Sequence, residues 1–569
     1  MTQKLLNFTA LASAALLWGL LVSTQSVGNT EGSAAGQAVI SGYVVDKSGP
    51  VAGATVRLKA AKNSVRTNAS GSFALSVPVG EAVSISAWKR GYYCSVLQSV
   101  TAPTADVQLK LIRYQTNDNP EYQWIPPETP TGVGGCSECH NPAFMQMTLK
   151  DAHLQSANNP RFLTMYKGTD MEGNQSPYTV YKYGEKIWQT ILLPQPPDLS
   201  KPYYGPGYTL DFPGTTGNCS ACHVPGASVY SNVDPTTVKG ADTYGVHCDF
   251  CHKVADVYFD PVTRLPSPSF PGVHSMDVRR PFPDDPERPQ LFFGTLDDIG
   301  LPDTKLPLLQ ESRYCGACHY GVFWSTVVYN SYGEWLESPY SDPKSGKAKT
   351  CQQCHMPSPT VWKRKTISNI APGKGGVKRQ PATIHSHLTT VDKKLLQNAL
   401  TMKASATREE GKVLVDVSLT NDKTGHHVPT DSPLRHLILR VDAKDSEGNL
   451  LEQVSGPVLP GWCGVGDPAR GYYAGLPGKT YAKLLSEMWT NVFPTGAYWN
   501  QTNLVSDNRI AAFATDTASF SFVPPESGDA AVTVTLLYRR AYIKLMDWKK
   551  WDVPDIVMAQ KSMVVEHDR

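Results

Sequence analysis

The chain has almost no net charge: 53 Lys and Arg against 51 Asp and Glu leave +2. It has no long run of like charge either. Both absences argue against a nucleic-acid binder and against steering of acidic substrates. Cysteine is missing before Cys94, so a lipoprotein anchor has no residue to build on near the start. After the first thirty residues, no apolar run is long enough to span a bilayer. Long regular elements are excluded from much of the middle. Residues 113–300 hold 23 of the 44 prolines, and proline interrupts helix and sheet interiors alike.

What is present begins with residues 1–30, which read as a secretory signal peptide. Lys4 gives a positive start, residues 11–22 an apolar core, and small polar residues from Ser23 onward a cleavage region. An exported protein is expected, in the periplasm or at the cell surface. It meets a membrane only if this segment stays uncleaved.

Ten of the twelve cysteines fall in five Cys-x-x-Cys-His motifs. They are Cys136/Cys139/His140, Cys219/Cys222/His223, Cys248/Cys251/His252, Cys315/Cys318/His319 and Cys351/Cys354/His355. This is the attachment signature of c-type haem, in which two thiols bond the vinyl groups and the next imidazole ligates iron. Paired cysteines also bind zinc, but zinc does not demand His after every second Cys. Five haem c groups are expected, with His140, His223, His252, His319 and His355 as proximal ligands. Cys94 and Cys463 are left over, either paired or as isolated buried thiols.

The sixth ligand of each iron separates electron transfer from catalysis. Nine of the 14 histidines lie outside the motifs, and His567 sits in the terminal tail. Eight candidates therefore compete for five positions, enough for mainly bis-His coordination. His153, His247 and His274 are distal candidates, as are one of His385 and His387 and one of His426 and His427. His436 alternates with Leu434 and Ile438, as a strand residue would. Met356 is adjacent to His355 and cannot reach the opposite face of that haem.

The organisation predicted is multidomain, with two β-sandwich domains flanking a loop-rich, mostly short-helical pentahaem domain. Residues 37–113 alternate apolar and polar positions between turns at Gly49-Pro50 and at residues 68–71. Residues 114–395 carry the motifs, with helices expected over 144–155 and 322–336. In a compact unit of this size five haems would lie roughly 20 Å apart. The second and third motifs, and the fourth and fifth, are nearest in sequence and are expected to pack as pairs. Residues 396–569 read as a second sandwich interrupted by a loop-rich insertion over 457–506. The basic stretch 363–379 reads as a solvated loop, the alternatives being docking of an anionic redox partner or neutralisation of haem propionates.

Gly42-Tyr43-Val44-Val45-Asp46, residues 50–56 and residues 67–73 resemble a carboxypeptidase regulatory-like domain, a transthyretin-type sandwich that is usually a non-catalytic spacer. Residues 314–319, Glu334-Trp335, Ser338-Pro339-Tyr340 and 349–357 are similar to the cytochrome c-552/4 (c-554-type) multihaem family. Tyr244-Gly245-Val246 and Gly425-His426-His427-Val428-Pro429-Thr430 fit as well. The resemblance implies a bacterial or archaeal exported cytochrome and favours His387 and His426 as distal ligands. Three functions follow: electron transfer to redox protein partners or an extracellular acceptor, an oxidoreductase with one open haem acting on a small nitrogen or sulfur compound, or a filament-forming structural cytochrome.

Overall fold

The computed structural model describes residues 36–131, 134–186, 189–282, 284–389 and 392–567. The expected signal peptide lies outside the described residues.

The N-terminal region has a two-residue strand, Gly49–Pro50, and seven longer ones: β1 (Gln37–Asp46), β2 (Thr55–Leu58), β3 (Ser64–Arg66), β4 (Ser72–Pro78), β5 (Ala82–Trp88), β6 (Ser95–Thr101) and β7 (Thr104–Lys110). Period-2 alternation turns Ile40 and Val44 of β1, and Phe73, Leu75 and Val77 of β4, into a shared core. β1 pairs antiparallel with β4 and parallel with β7. The facing sheet runs β3-β2-β5-β6. Gly42 is required where β1 meets β7, because a Cβ there would stand 1.9 Å from the Val107 carbonyl oxygen.

The middle of the chain has only short elements, as its prolines dictate. Helices α1 (Pro142–Thr148) and α2 (Pro160–Lys167) each start with proline behind an asparagine cap. α1 ends well short of the expected residue 155. Beyond it the backbone tightens into turns (Asp151 N–H to Thr148 O, 2.9 Å), and the Asp151 carboxylate is taken by His153 and Thr389. Residues 322–336 are not one helix but a hairpin (Gly321–Phe323 with Thr326–Tyr329) followed by α4 (Ser331–Leu336), α3 being Cys248–Cys251. Val322, Thr326, Val327 and Val328 are β-branched and favour the pleated form. The basic stretch is not solvated throughout: Arg379 makes a bidentate pair with buried Asp298, at 3.0 and 2.7 Å.

After α5 (Lys393–Gln397), nine strands form two sheets: β8 (Thr401–Glu409), β9 (Lys412–Thr420), β10 (His436–Lys444), β11 (Gln453–Ser455), β12 (Gly478–Glu487), β13 (Thr502–Asp507), β14 (Thr515–Phe522), β15 (Ala530–Arg539) and β16 (Ile556–Val565). The orders are β8-β9-β14-β11 and β13-β12-β10-β15-β16. Val413, Val415 and Val417 meet Leu437, Leu439 and Val532 in one core. The expected loop insertion in fact supplies β12 and β13. Buried Lys483 and Glu487 break the apolar alternation that would have marked β12.

Both β regions hold the middle. Cys94 N–H bonds the Asp303 carbonyl (2.9 Å) and Trp88 Nε1 bonds Thr304 Oγ1 (3.1 Å). From the other side α6 (Ile543–Lys549) inserts Lys549, whose Nζ donates to the carbonyls of Thr164, Thr169 and Pro206. Cys94 and Cys463 form no disulfide. Each is buried in its own surroundings, Cys94 near the Leu296 carbonyl and Cys463 among Ile438, Leu459 and Tyr473, and burial pushes both thiols up to about 12.

Candidate haem centres

The spacing of each motif is explained by one turn of helix. The His N–H bonds the first Cys carbonyl at 3.1 Å in the first motif, 3.0 Å in the second and third, and 3.1 Å in the fourth. Residues i, i+3 and i+4 of such a turn share a face, so two thiols and an imidazole project together. In the fifth motif a capping box between Thr350 and Gln353 starts the turn.

All fifteen motif side chains line one branched cavity of about 1950 Å³. Protein interiors are close-packed, and a single small-molecule site occupies roughly 300–1,000 Å³. The void has room for several large groups. Among the described residues, no cluster of three or more His, Cys, Asp or Glu converges on one ion.

Two imidazoles on opposite sides of one metal, each bonded at about 2 Å, put their ring centres roughly 6–6.5 Å apart. Three motif histidines have such a partner. His319 faces His153 at 6.1 Å, His252 faces His387 at 6.4 Å, and His355 faces His426 at 6.3 Å. Five of the six outer nitrogens have a partner, as in metal-bound histidines. His387 Nδ1 donates to the His385 carbonyl (3.2 Å), His426 Nδ1 to the His427 carbonyl (2.8 Å) and His252 Nδ1 to the Phe293 carbonyl (2.5 Å). His153 Nδ1 meets Asp151 (3.0 Å) and Thr389 (2.9 Å), and His319 Nδ1 lies 3.6 Å from Asp431. Burial pushes His355 and His387 down to about 4, which keeps their rings neutral, the ligating form. Burial raises the Asp151 carboxyl, but hydrogen bonds from His153 and Thr389 outweigh it and hold it at about 2.

The other two motif histidines face phenyl rings. Phe162 stacks on His223 at 3.9 Å and 1°, and Phe144 lies 6.3 Å from His140. Of the remaining histidines His247, His385 and His427 also line the cavity, while His274 and His436 do not. His247 Nδ1 accepts the Phe250 N–H (3.2 Å) and caps α3. Its Nε2 must then carry the proton, and it points at Asp242, 3.5 Å away. His274 Nε2 donates to the Ser228 carbonyl (3.0 Å), and His274 is not among the cavity-lining residues. His427 lies against Glu334, and His436 is buried between Tyr542 and Trp462. His385 does line the cavity, with Nδ1 donating to the Met356 carbonyl at 3.2 Å. The helix-cap role of His247 is readable from its place just before Cys248; the Ser228 contact of His274 has no local sign.

The motifs interlock. Thiols of different motifs lie close enough to shift one another's pKa, Cys136 with Cys248, Cys222 with Cys318, and Cys315 with Cys351. Tyr314 OH donates to the Cys251 carbonyl at 2.8 Å, joining the fourth motif to the third. Gly245, at φ 73°, lies so close to the second motif that a Cβ would stand 2.8 Å from the His223 carbonyl oxygen. The fourth motif thus lies beside the second, third and fifth.

Residues 39–111 match the model of the carboxypeptidase regulatory-like domain. Among solved structures, the chain is similar to a penta-heme cytochrome c552 from Thermochromatium tepidum, at 16% identity over 75% of this chain and 97% of that one, with a TM-score of 0.49. A cohesin–X-dockerin complex from Acetivibrio cellulolyticus matches at 22% identity over 13% of this chain and 51% of that one, TM-score 0.12. A PapD-like domain of human CEP192 matches at 8% identity over 30% and 86%, TM-score 0.12. Comparison with curated proteins gives no match. At these values the structural likenesses do not extend to chemistry.

Proposed function

We propose that the chain is an exported multihaem c-type cytochrome that passes electrons through five covalently bound haems, between redox protein partners or to an extracellular acceptor. One observation carries the reading: three motif histidines each face a second imidazole across the distance one metal ion spans. Each motif would hold its haem by two thiols and one imidazole, and the haem would supply one-electron chemistry. His153, His387 and His426 would close the opposite face at three irons, leaving no position for substrate there. Their anchored Nδ1 atoms fix ring orientation in both redox states. The neighbouring motifs support exchange from haem to haem, with the fourth as the junction. The apolar leader in residues 11–22 supports export; among the described residues no helix is long and apolar enough to cross a membrane.

Carbon monoxide added to the reduced protein tests this. The irons at His252, His319 and His355 should stay low-spin and unperturbed. Carbon monoxide binding at more than two haems of five would overturn the reading.

A second reading, an oxidoreductase acting on a small nitrogen or sulfur compound, is favoured by His223, which among the described residues has no facing imidazole and carries Phe162 stacked on its ring face. It predicts a high-spin signal from that haem and its perturbation by carbon monoxide.

A further inference from the structure

Three arginines on the cavity wall have no use in the scheme above. Arg161 is in the first turn of α2, Arg435 precedes β10 and Arg540 follows β15, and all three line the cavity. β10 and β15 pair with His436 opposite Arg539. Arg435 and Arg540 stand immediately beyond that last pair, where the two strands bring like charges to the same end of the sheet. Arg161 joins them: burial lowers its pKa, and the charges of Arg540 and Arg435 lower it further. Among the described residues, neither Arg161 nor Arg540 has a carboxylate partner. The one acid at the cluster, Asp431, is 3.7 Å from Arg435 and is shared with His319. The next residue after Arg161 is Phe162, whose ring stacks on His223, so the cluster stands beside the second motif.

We propose that Arg161, Arg435 and Arg540 form an anion pocket beside Cys219/Cys222/His223, suited to a carboxylate-type group with two oxygens. Guanidinium forks bind such groups bidentately, and an anion would relieve the repulsion within the cluster. The anion has two possible sources, the propionates of a haem held at Cys219 and Cys222 or a small free carboxylate entering the cavity. The inference rests on the haem reading of the second motif.

The test uses haem-loaded, full-length protein with R161Q, R435Q and R540Q, and with the lysine variants at the same positions. Formate is titrated by calorimetry at low ionic strength, and the five reduction potentials are measured. If the anion is free, formate binds the parent and each glutamine variant weakens it about tenfold or more. If the anion is a propionate, formate does not bind; one potential of five falls in each glutamine variant and recovers in the lysine variant. Where a glutamine variant fails to fold, its lysine counterpart, which keeps the charge but loses the fork, is compared with the parent by the same two measurements. The proposal is overturned if formate binding is absent and all five potentials stay unchanged, or if formate binds equally to parent and variants. Mass spectrometry of the peptide holding Cys219 and Cys222 separates the two levels: no haem there sinks the haem reading itself.

Discussion

The N-terminal sandwich and the motif region solve the burial problem in opposite ways. In residues 37–113 every strand hands its alternate apolar residues to one core, with Ile40, Val44, Val56, Val77 and Ile85 fully buried. In the motif region the longest helix has eight residues, and the elements surround a void. One region makes its own interior, while the other lines a cavity with its motif side chains. On the haem reading, elements this short and proline-limited become structural because a cofactor replaces the missing core.

The strongest way to break that contrast is to withhold haem. Full-length chain expressed without haem attachment should leave residues 114–395 unfolded, while residues 37–113 resist proteolysis as a β-rich fragment. Limited proteolysis with circular dichroism checks this, and a protease-resistant motif region would contradict it. Next in size, Leu75→Ala in the fully buried N-terminal core should cost about 2–5 kcal/mol, with the haem spectrum unchanged. Denaturant unfolding followed at both the haem band and the far ultraviolet would show whether the loss stays local.

His426→Ala sharpens the contrast within the motif region. It should turn one haem of five from low-spin to high-spin, by electron paramagnetic resonance, with little effect on either sandwich. His436→Ala is its counterpart in the C-terminal sheets and should lower stability without altering any haem, because His436 is packed against Tyr542 and Trp462. The smallest effect is expected at the exposed Arg113 beside Asp46, 3.4 Å away. Arg113→Ala should change stability by no more than about 1 kcal/mol and leave every spectrum alone.

How much of this was legible from sequence depends on the range of each interaction. The motifs are visible because residues i, i+3 and i+4 meet within one helical turn, a purely local geometry. The sandwich strands around Val44 and Leu75 are visible because a half-buried strand alternates. Pairing of the imidazoles is not local: His426 reaches His355 across 71 residues and His387 reaches His252 across 135, so a candidate can be named but not its partner. The surplus of histidines misleads for the same reason. His247 goes to a helix cap, and His274 and His436 contact protein groups, so a count of histidines does not translate into a count of facing imidazole pairs. β12 is hidden because Lys483 and Glu487 occupy buried positions through contacts that only the assembled fold provides. The wider basic stretch misleads at Arg379, whose partner Asp298 is 81 residues away.

The account stands or falls on where the irons are. Diffraction from crystals of the haem-loaded protein, collected at the iron absorption edge, locates them without reference to any side chain. Five anomalous peaks are predicted, three of them midway between His153 and His319, His252 and His387, and His355 and His426. Peaks displaced from those three midpoints would contradict it.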